Sequence, residues 1–558
     1  MSSLRRTPPL PLGLIAFSLV AALGCGASPQ TSTPDAGAPD SGTPAGFTIA
    51  LAADKLPVRQ GSTATIDVTV TRAPGFAEAV AVTAIGLPTG ATLAPVTIAA
   101  TETHAALVVT ATAEAPHSLP TPVIVRGAAG ALEATRPLTV TVTGAPGALD
   151  TSFAGGKVIV PMGASDDYAF AMAVQPDGKL IVAGRAAEHR GDLALLRLER
   201  DGAIDTTFGS GGKVLTDVAG GADTAYAVAV QPDGKIVVAG SATVGANLDF
   251  FVARYLPSGA IDATFGAAAT PGLITTAFGA DSDTAYALVL QADGKIVVGG
   301  DTSQGSSTTG VDFALARFTA SGALDPTFGD AATPGKVVTS IAANSGRDTI
   351  YALALQDVGG EPRIVAAGGE GDFVLARYTA NGQLDTGFGA SGKVKGVYGS
   401  VIGAARAVTA TADGKLLIAG NHQGDFALVR LDAAGQLDPT FGGGAAGKVV
   451  TPIAADNDDE ARGLTLDGDG KIVLAGWTNE GASTSGNFAL ARYGSDGLLD
   501  ASFGGTGTVI TPVAAGTKAD QANAVLLQID ERIPAVRVVA AGSANGSNND
   551  FALTRYWR

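Results

Sequence analysis

Asp312-Phe313-Ala314-Leu315-Ala316-Arg317, with Asp325-Pro326-Thr327-Phe328-Gly329 beginning eight residues after the arginine, is the stretch on which the fold turns. Versions of it recur seven times, with arginines at Arg197, Arg254, Arg317, Arg377, Arg430, Arg492 and Arg555. The matching acids are Asp150, Asp205, Asp262, Asp325, Asp385, Asp438 and Asp500. Successive arginines stand 53 to 63 residues apart, yet each from Arg197 to Arg492 is followed by its acid at a constant interval of eight. In a strand, Phe313, Leu315 and Arg317 share one face and Ala314, Ala316 and Phe318 the other. Both faces are apolar, so the strand is covered on both sides, and a guanidinium placed there needs a carboxylate. Asp312 lies at an odd interval, on the opposite face, and its counterpart in one repeat is Asn487. The reading therefore pairs each arginine with the later acid, reached through a turn such as Ser321-Gly322; the alternative is a solvated surface pair.

The 558 residues suffice for two or more domains with proper cores. Charged residues make up only 16%, Gly numbers 76, and the apolar runs are β-branched and Gly-punctuated, which points to strands and turns. The net charge of -16 becomes -18 without residues 1–24, which carry Arg5 and Arg6 and no acid. No basic cluster balances it, which argues against nucleic-acid binding. A single cysteine excludes an internal disulfide in a monomer.

Residues 1–24 read as a secretory signal, with Arg5 and Arg6 ahead of the apolar core Leu12 to Leu23. Those 12 residues are too few to span a bilayer, which takes about 20. Ala22-Leu23-Gly24-Cys25 resembles a bacterial lipobox, with Ala22 where Leu is usual. The resemblance implies cleavage before Cys25, lipidation of Cys25 and anchoring in the cell envelope, at the outer membrane or cell surface; the alternative is an ordinary signal with a stray cysteine. Residues 25–46 hold the lipidated cysteine and a disordered Ser/Thr/Pro/Gly tether. Residues 47–144 alternate, as in Thr63-Ala-Thr-Ile-Asp-Val-Thr-Val-Thr71. About seven short strands predict a β-sandwich, and Gly86-Leu87-Pro88-Thr89-Gly90 resembles a turn of secreted bacterial immunoglobulin-like modules. His104 and His117 read as surface residues.

From 148 to 558 the repeat takes over. Its second copy runs from the small-residue strand starting at Asp223, through the Pro232-Asp-Gly-Lys235 turn, to the buried strand Ile236–Gly240. A third strand follows from Asp249 to Tyr255, and a fourth begins near Gly272. Four antiparallel strands repeated seven times predict an all-β protein with a seven-bladed β-propeller, its first strands lining the channel, preceded by the sandwich. The segments QPDGK-[IL]-VVAG, DFALAR and LD-x-[TS]-F-G…GKV resemble the delta-60 repeat family of secreted bacterial proteins, a propeller-like repeat over about 410 residues with no established activity. Asp357–Arg363 and Asp530–Ala535 replace the tight turn, and these turns are expected to be longer. The repeats are displaced from the sheets, so residues 149–160 are expected to complete the seventh beside residues 550–556, with Arg555 meeting Asp150.

Six of seven units carry an aspartate where the first strand begins: Asp167, Asp223, Asp283, Asp348, Asp459 and Asp520, with Gly403 in the fifth. Such a ring could hold a hard cation such as calcium, or each aspartate could cap the turn entering its strand. Asp467-Gly-Asp-Gly470 reads as a turn, and Trp477, His189 and His422 as loop residues. No P-loop, G-x-S-x-G, HExxH or CxxC occurs. The reading is a monomeric, non-enzymatic envelope lipoprotein with no cofactor beyond a possible calcium, whose propeller loop face binds a protein or glycan partner. Its alternatives are a calcium-dependent propeller hydrolase or lyase, or a purely structural envelope protein.

Overall fold

The computed structural model describes residues 46–118, 120–187, 191–303, 310–341, 348–369, 371–399, 403–454, 458–479, 486–514, 519–530 and 535–558. Residues 1–24, Cys25, the tether and His189 lie outside them. The chain divides into two compact units, one containing residues 46–156 with 529–537 and 556–558, the other 157–528 with 538–555.

The first unit shows the period-two logic of a sheet with one wet face. In Ser62–Arg72, Ile66, Val68 and Val70 are buried while Asp67, Thr69 and Thr71 face solvent. Nine strands, two more than the sequence suggests, form a four-stranded and a five-stranded sheet. The extra strands are the three-residue pieces Ala91–Leu93 and Val96–Ile98, too short to show a pattern. Val68, Val82, Leu107, Val109, Val123 and Val140 meet in the shared core.

In the second unit, Asp223–Val230, Ile236–Val244, Asn247–Tyr255 and Leu273–Thr276 pair in chain order into one antiparallel sheet. Five further sheets are built likewise. A seventh joins Gln521–Asp530, Ala535–Asn545 and Asn549–Trp557 to Lys157–Val160, drawn from the front of the repeat region. Lys157 stands opposite Thr554 and Val160 opposite Phe551. Successive sheets interlock through apolar faces: Ile181, Leu193 and Leu195 of the first pack with Ile236, Val238 and Phe251 of the second. The seventh returns to the first, since Gln528 Nε2 donates to Gly178 O (2.8 Å) and Asn523 Nδ2 to Ala169 O (2.7 Å).

Two devices recur through the first six repeats. The first joins neighbouring sheets. Arg254 Nε lies 2.8 Å from Asp262 Oδ2, its Nη2 reaches Thr264 Oγ1, and its plane rides 4.4 Å over Phe265. Its Nη1 donates to Ala320 O in the turn of the next unit, at 2.6 Å. Arg197, Arg317, Arg377, Arg430 and Arg492 approach Asp205, Asp325, Asp385, Asp438 and Asp500 at 2.7 to 3.0 Å. The motif Asp-x-Thr-Phe-Gly thus supplies the carboxylate, the hydroxyl and the aromatic face that one buried guanidinium requires. Sequence reasoning missed a second cation on the same carboxylates, the lysine closing each tight turn: Lys179, Lys295, Lys415 and Lys471 lie 2.6 to 3.3 Å from theirs. Its fixed place after Asp-Gly was the available signal.

Arg363 and Arg537 take the lysine's place in the fourth and seventh units. Arg537 Nε sits 2.8 Å from Asp150 Oδ2, a cation that the sequence reading did not place there. Arg555 donates to Gln528 Oε1 and to Arg200 O in the first repeat, the position that Ala320 occupies for Arg254. The turn at 357–363 also differs from expectation. Ile350–Val358 and Glu361–Gly368 extend the pairing to Val358 opposite Glu361 and leave only Gly359-Gly360 between them. Both glycines have positive φ, 66° and 85°, which a two-residue hairpin turn demands. The 530–535 turn lies mostly outside the described residues.

The second device is a bulge. In the first strand of the second unit the register shifts between Ala225 and Ala227, leaving Tyr226 as the extra residue. The bulge presses the Thr224 carbonyl onto Gly240 of the neighbouring strand, where an added Cβ would lie 1.8 Å from the oxygen. The glycine ending Val-Val-Ala-Gly is therefore what admits the bulge. Gly240→Ala is expected to cost about 1–3 kcal/mol through overpacking, read as a lowered melting point. Gly279→Ala, whose methyl would meet nothing within 4 Å, should leave it unchanged; equal melting of the two variants would contradict the role given to Gly240.

Candidate functional site

The six aspartates each serve their own strand. Each is buried and turns its carboxylate onto backbone amides that enter its strand. Asp167 Oδ2 accepts from Met162 N at 2.7 Å and Gly163 N at 3.0 Å; Asp223 accepts from Val218 N at 2.7 Å. Asp283, Asp348, Asp459 and Asp520 take the amides of Phe278, Ile341, Ile453 and Val513 at 2.6 to 2.9 Å. In the fifth unit, where Gly403 brings no carboxylate, Asp372 serves instead, accepting from Tyr398 N and Gly399 N. This is the geometry of turn caps. Among the described residues no three His, Cys, Asp or Glu side chains gather as a metal would need.

Three residues beyond each cap position stands a residue that sequence reasoning passed over. The bulge falls on Phe170, Tyr226, Tyr286, Tyr351, Arg406 and Arg462 in the first six units, and Asn523 holds the same place after Asp520. All seven are half-buried. They touch in sequence around the inner strands. Ring centroids lie 4.9 Å apart for Phe170–Tyr226 and Tyr226–Tyr286, and 5.4 Å for Tyr286–Tyr351. The Arg406 guanidinium covers Tyr351 at 4.1 Å. Arg406 Nε reaches Glu460 Oε1 at 2.6 Å, and Arg462 Nη2 lies 2.9 Å from Glu460 Oε2. Arg462 Nη1 donates to Asn523 Oδ1 at 2.7 Å, and Asn523 in turn to Ala169 O. The result is a closed collar, aromatic along one arc and cationic along the other.

Charge in the collar is tightly held. Burial alone would raise the Glu460 carboxyl, but Arg462 and Arg406 overcome this and keep it below the usual glutamate range. Burial pushes the Tyr226 phenol up, so it stays neutral at physiological pH. Trp477 is not a loop residue as read from sequence: it lies in the strand Ile472–Asn479 and donates Nε1 to Glu460 Oε2 at 3.1 Å. The spacing Asp-x-x-[Phe/Tyr/Arg/Asn] was visible in six repeats, with Gly403 for the aspartate in the fifth, masked by the attention an acidic register attracts.

The remaining candidates hold structure. Asp467 Oδ1 accepts from the amides of Asp469 and Lys471 as a turn cap. His422 ends the strand Leu416–His422 and stacks on Tyr398 at 4.2 Å. His104 is exposed, but His117 is half-buried, accepting from Trp557 Nε1 at 3.1 Å, with burial lowering its pKa. An open groove of about 540 Å³ beside Lys235, Arg254 and Thr264 belongs to the clip, its cations already facing Asp262.

Six segments, residues 175–208, 231–265, 291–328, 357–388, 411–441 and 468–503, match the model of a family described as a domain of unknown function (DUF5122) beta-propeller. The chain therefore carries repeats of a β-propeller type. No curated protein matches it. Among solved structures it is similar to the polysaccharide lyase Uly1 (11% identity, TM-score 0.38, covering 71% of this chain and 91% of that one). It is also similar to a DUF4784 family protein from Bacteroides caccae (11%, 0.27, 85% and 97%) and to prolyl oligopeptidase B from Galerina marginata (11%, 0.35, 68% and 49%). Likenesses this weak carry no argument about activity.

Asp262 and Asp223 respond oppositely to pH. Burial would raise Asp262, but bonds from Thr264 and the Arg254 guanidinium hold it at about 2. Asp262 therefore contributes stability that is present above the unfolded value near 3.9 and lost as pH falls toward 2. Asp223, pushed up by burial to about 6, favours the fold while protonated, and that contribution is lost as pH rises from about 4 to about 6. Urea unfolding from pH 2 to 8 should show Asp262→Asn flattening only the acid limb and Asp223→Asn only the slope between pH 4 and 6. Parallel curves for the three proteins would refute these assignments.

Proposed function

We propose that the repeats form a seven-bladed propeller of delta-60 type, carried behind an immunoglobulin-like sandwich, in an envelope lipoprotein anchored at Cys25 that binds glycans through the collar. Seven four-stranded sheets in succession, with Arg555 of the seventh bonded to Arg200 of the first, support the blade count. Two opposed sheets around one apolar core support the sandwich.

The observation that carries the binding reading is the aromatic arc. Phe170, Tyr226, Tyr286 and Tyr351 are half-exposed rings at the one register position the bulge re-aims, and none belongs to the buried inter-sheet core. Contiguous, partly exposed aromatic rings near a channel mouth offer stacking faces for sugar rings. The phenols add hydroxyls that donate or accept. A binding role also suits Glu460, which two arginines keep ionised and which is thereby a poor proton donor. The strands that begin at the caps open on the same end as the loops between second and third strands, where length varies most from unit to unit.

On a glycan array followed by titration calorimetry, the chain with Cys25→Ser should bind at least one glycan. Tyr286→Ala should weaken that binding about tenfold, ~1.4 kcal/mol, without lowering the melting point. Unchanged affinity would remove the collar from the binding site.

Metabolic labelling with a palmitate analogue should mark the wild type and spare Cys25→Ser. Equal labelling of the two would end the lipid-anchor reading.

A further inference from the structure

The aromatic arc is bracketed by guanidinium groups. At one end Arg406 covers Tyr351. At the other, Tyr168 stacks near Phe170 with centroids 6.3 Å apart, and the Arg185 guanidinium stands 5.5 Å over Tyr168. Arg462 makes a third cation beyond Glu460. Arg185 is the unusual one. Among the described residues it has no carboxylate and no hydrogen-bond acceptor, and its Nε is buried without a partner. Arg406 meets Glu460 through Nε, and among the described residues no carboxylate is bonded to its two terminal amino groups. Among the described residues the carboxylates near the three arginines are Glu460 between Arg406 and Arg462, Asp301, which receives the Thr349 hydroxyl at 2.8 Å, and Asp166, which accepts from Asn549 beside the Tyr168 hydroxyl. The collar thus holds, among the described residues, a guanidinium with no carboxylate of its own, Arg185, in a chain whose net charge is -16.

Desolvating guanidinium groups without a counter-charge is costly. A ligand bearing the complementary charge removes that cost when it binds, and planar guanidinium forks suit carboxylate and sulfate groups. We propose, building on the glycan-binding reading above, that the ligand is an anionic glycan. Its sugar rings stack along Phe170, Tyr226, Tyr286 and Tyr351, and its carboxylate or sulfate groups engage Arg185 at one end of the arc and Arg406 at the other. The strongly negative remainder of the surface sets the selectivity: it repels a polyanion everywhere but here, so a short charged segment enters the mouth while the flank of the protein stays uncoated.

Calorimetry with an oligogalacturonide, its fully methyl-esterified form and a sulfated carrageenan oligosaccharide tests this. The esterified sugar keeps the rings and lacks the charge, and the sulfated one distinguishes sulfate from carboxylate. At least one anion should bind ten- to a hundredfold more tightly than the ester, and should weaken as NaCl is raised from 50 to 500 mM. Arg185→Gln and Arg406→Gln should each remove about tenfold or more from the anion and leave the ester unchanged. Arg185 has no ion pair to lose among the described residues, so its variant isolates binding from folding; melting points verify both. If neutral glycans bind as tightly as the anions, or both variants hold the anion like the wild type, the charge assignment is overturned while glycan binding stands. If neither the array nor these sugars bind, the glycan reading falls and this inference with it.

Discussion

A buried guanidinium has five donors and one charge to satisfy, and in this chain no single repeat can satisfy them. Arg254 finds its carboxylate, hydroxyl and aromatic face within its own unit, but the acceptor for Nη1 is Ala320 O of the next. Unmade, that bond leaves a donor dehydrated beside a charge, a penalty of about 1–3 kcal/mol or more. Each sheet therefore depends electrostatically on its successor as well as through apolar contact. Where Arg555 repeats the same reach to Arg200 O, the dependence closes on itself.

Comparing the seven repeats within one chain separates scaffold from surface. The clip arginine, the acid eight residues on and the glycine under the bulge recur because each answers a local physical demand. At the bulge position the chain places Phe170, three tyrosines, two arginines and Asn523. The backbone there imposes only a bulged position, and the identity of the side chain is left free.

Legibility followed the same division. The clip could be read from the interval of eight because a covalent spacing and a burial requirement pointed to one partner. Its second cation escaped notice because a lysine after Asp-Gly is also what any exposed turn tolerates. Completion of the seventh sheet by Lys157–Val160 was legible from the phase of the repeat. The nine-strand count of the first unit was not, since Ala91–Leu93 and Val96–Ile98 are shorter than one alternation can reveal. The collar was hidden for a different reason. A bulge breaks strict alternation, so the place of a residue such as Tyr226 follows from the register shift and not from the sequence pattern.

The seam between Lys157 and Thr554 joins residues 397 positions apart (554 minus 157). Closing a loop of that length costs about 1.7 kcal/mol more than closing one repeat of about 60 residues, by the logarithmic dependence on length. The penalty is small, but its timing is not: six sheets form from neighbours in the chain, whereas the seventh waits for both ends of the repeat region to be present and to meet. For a polypeptide delivered end first, from a ribosome or through a membrane pore, ring completion is a last event that partial delivery cannot reach. What holds the two ends together there is short, four residue pairs along Lys157–Val160 and the Leu149–Tyr556 bridge.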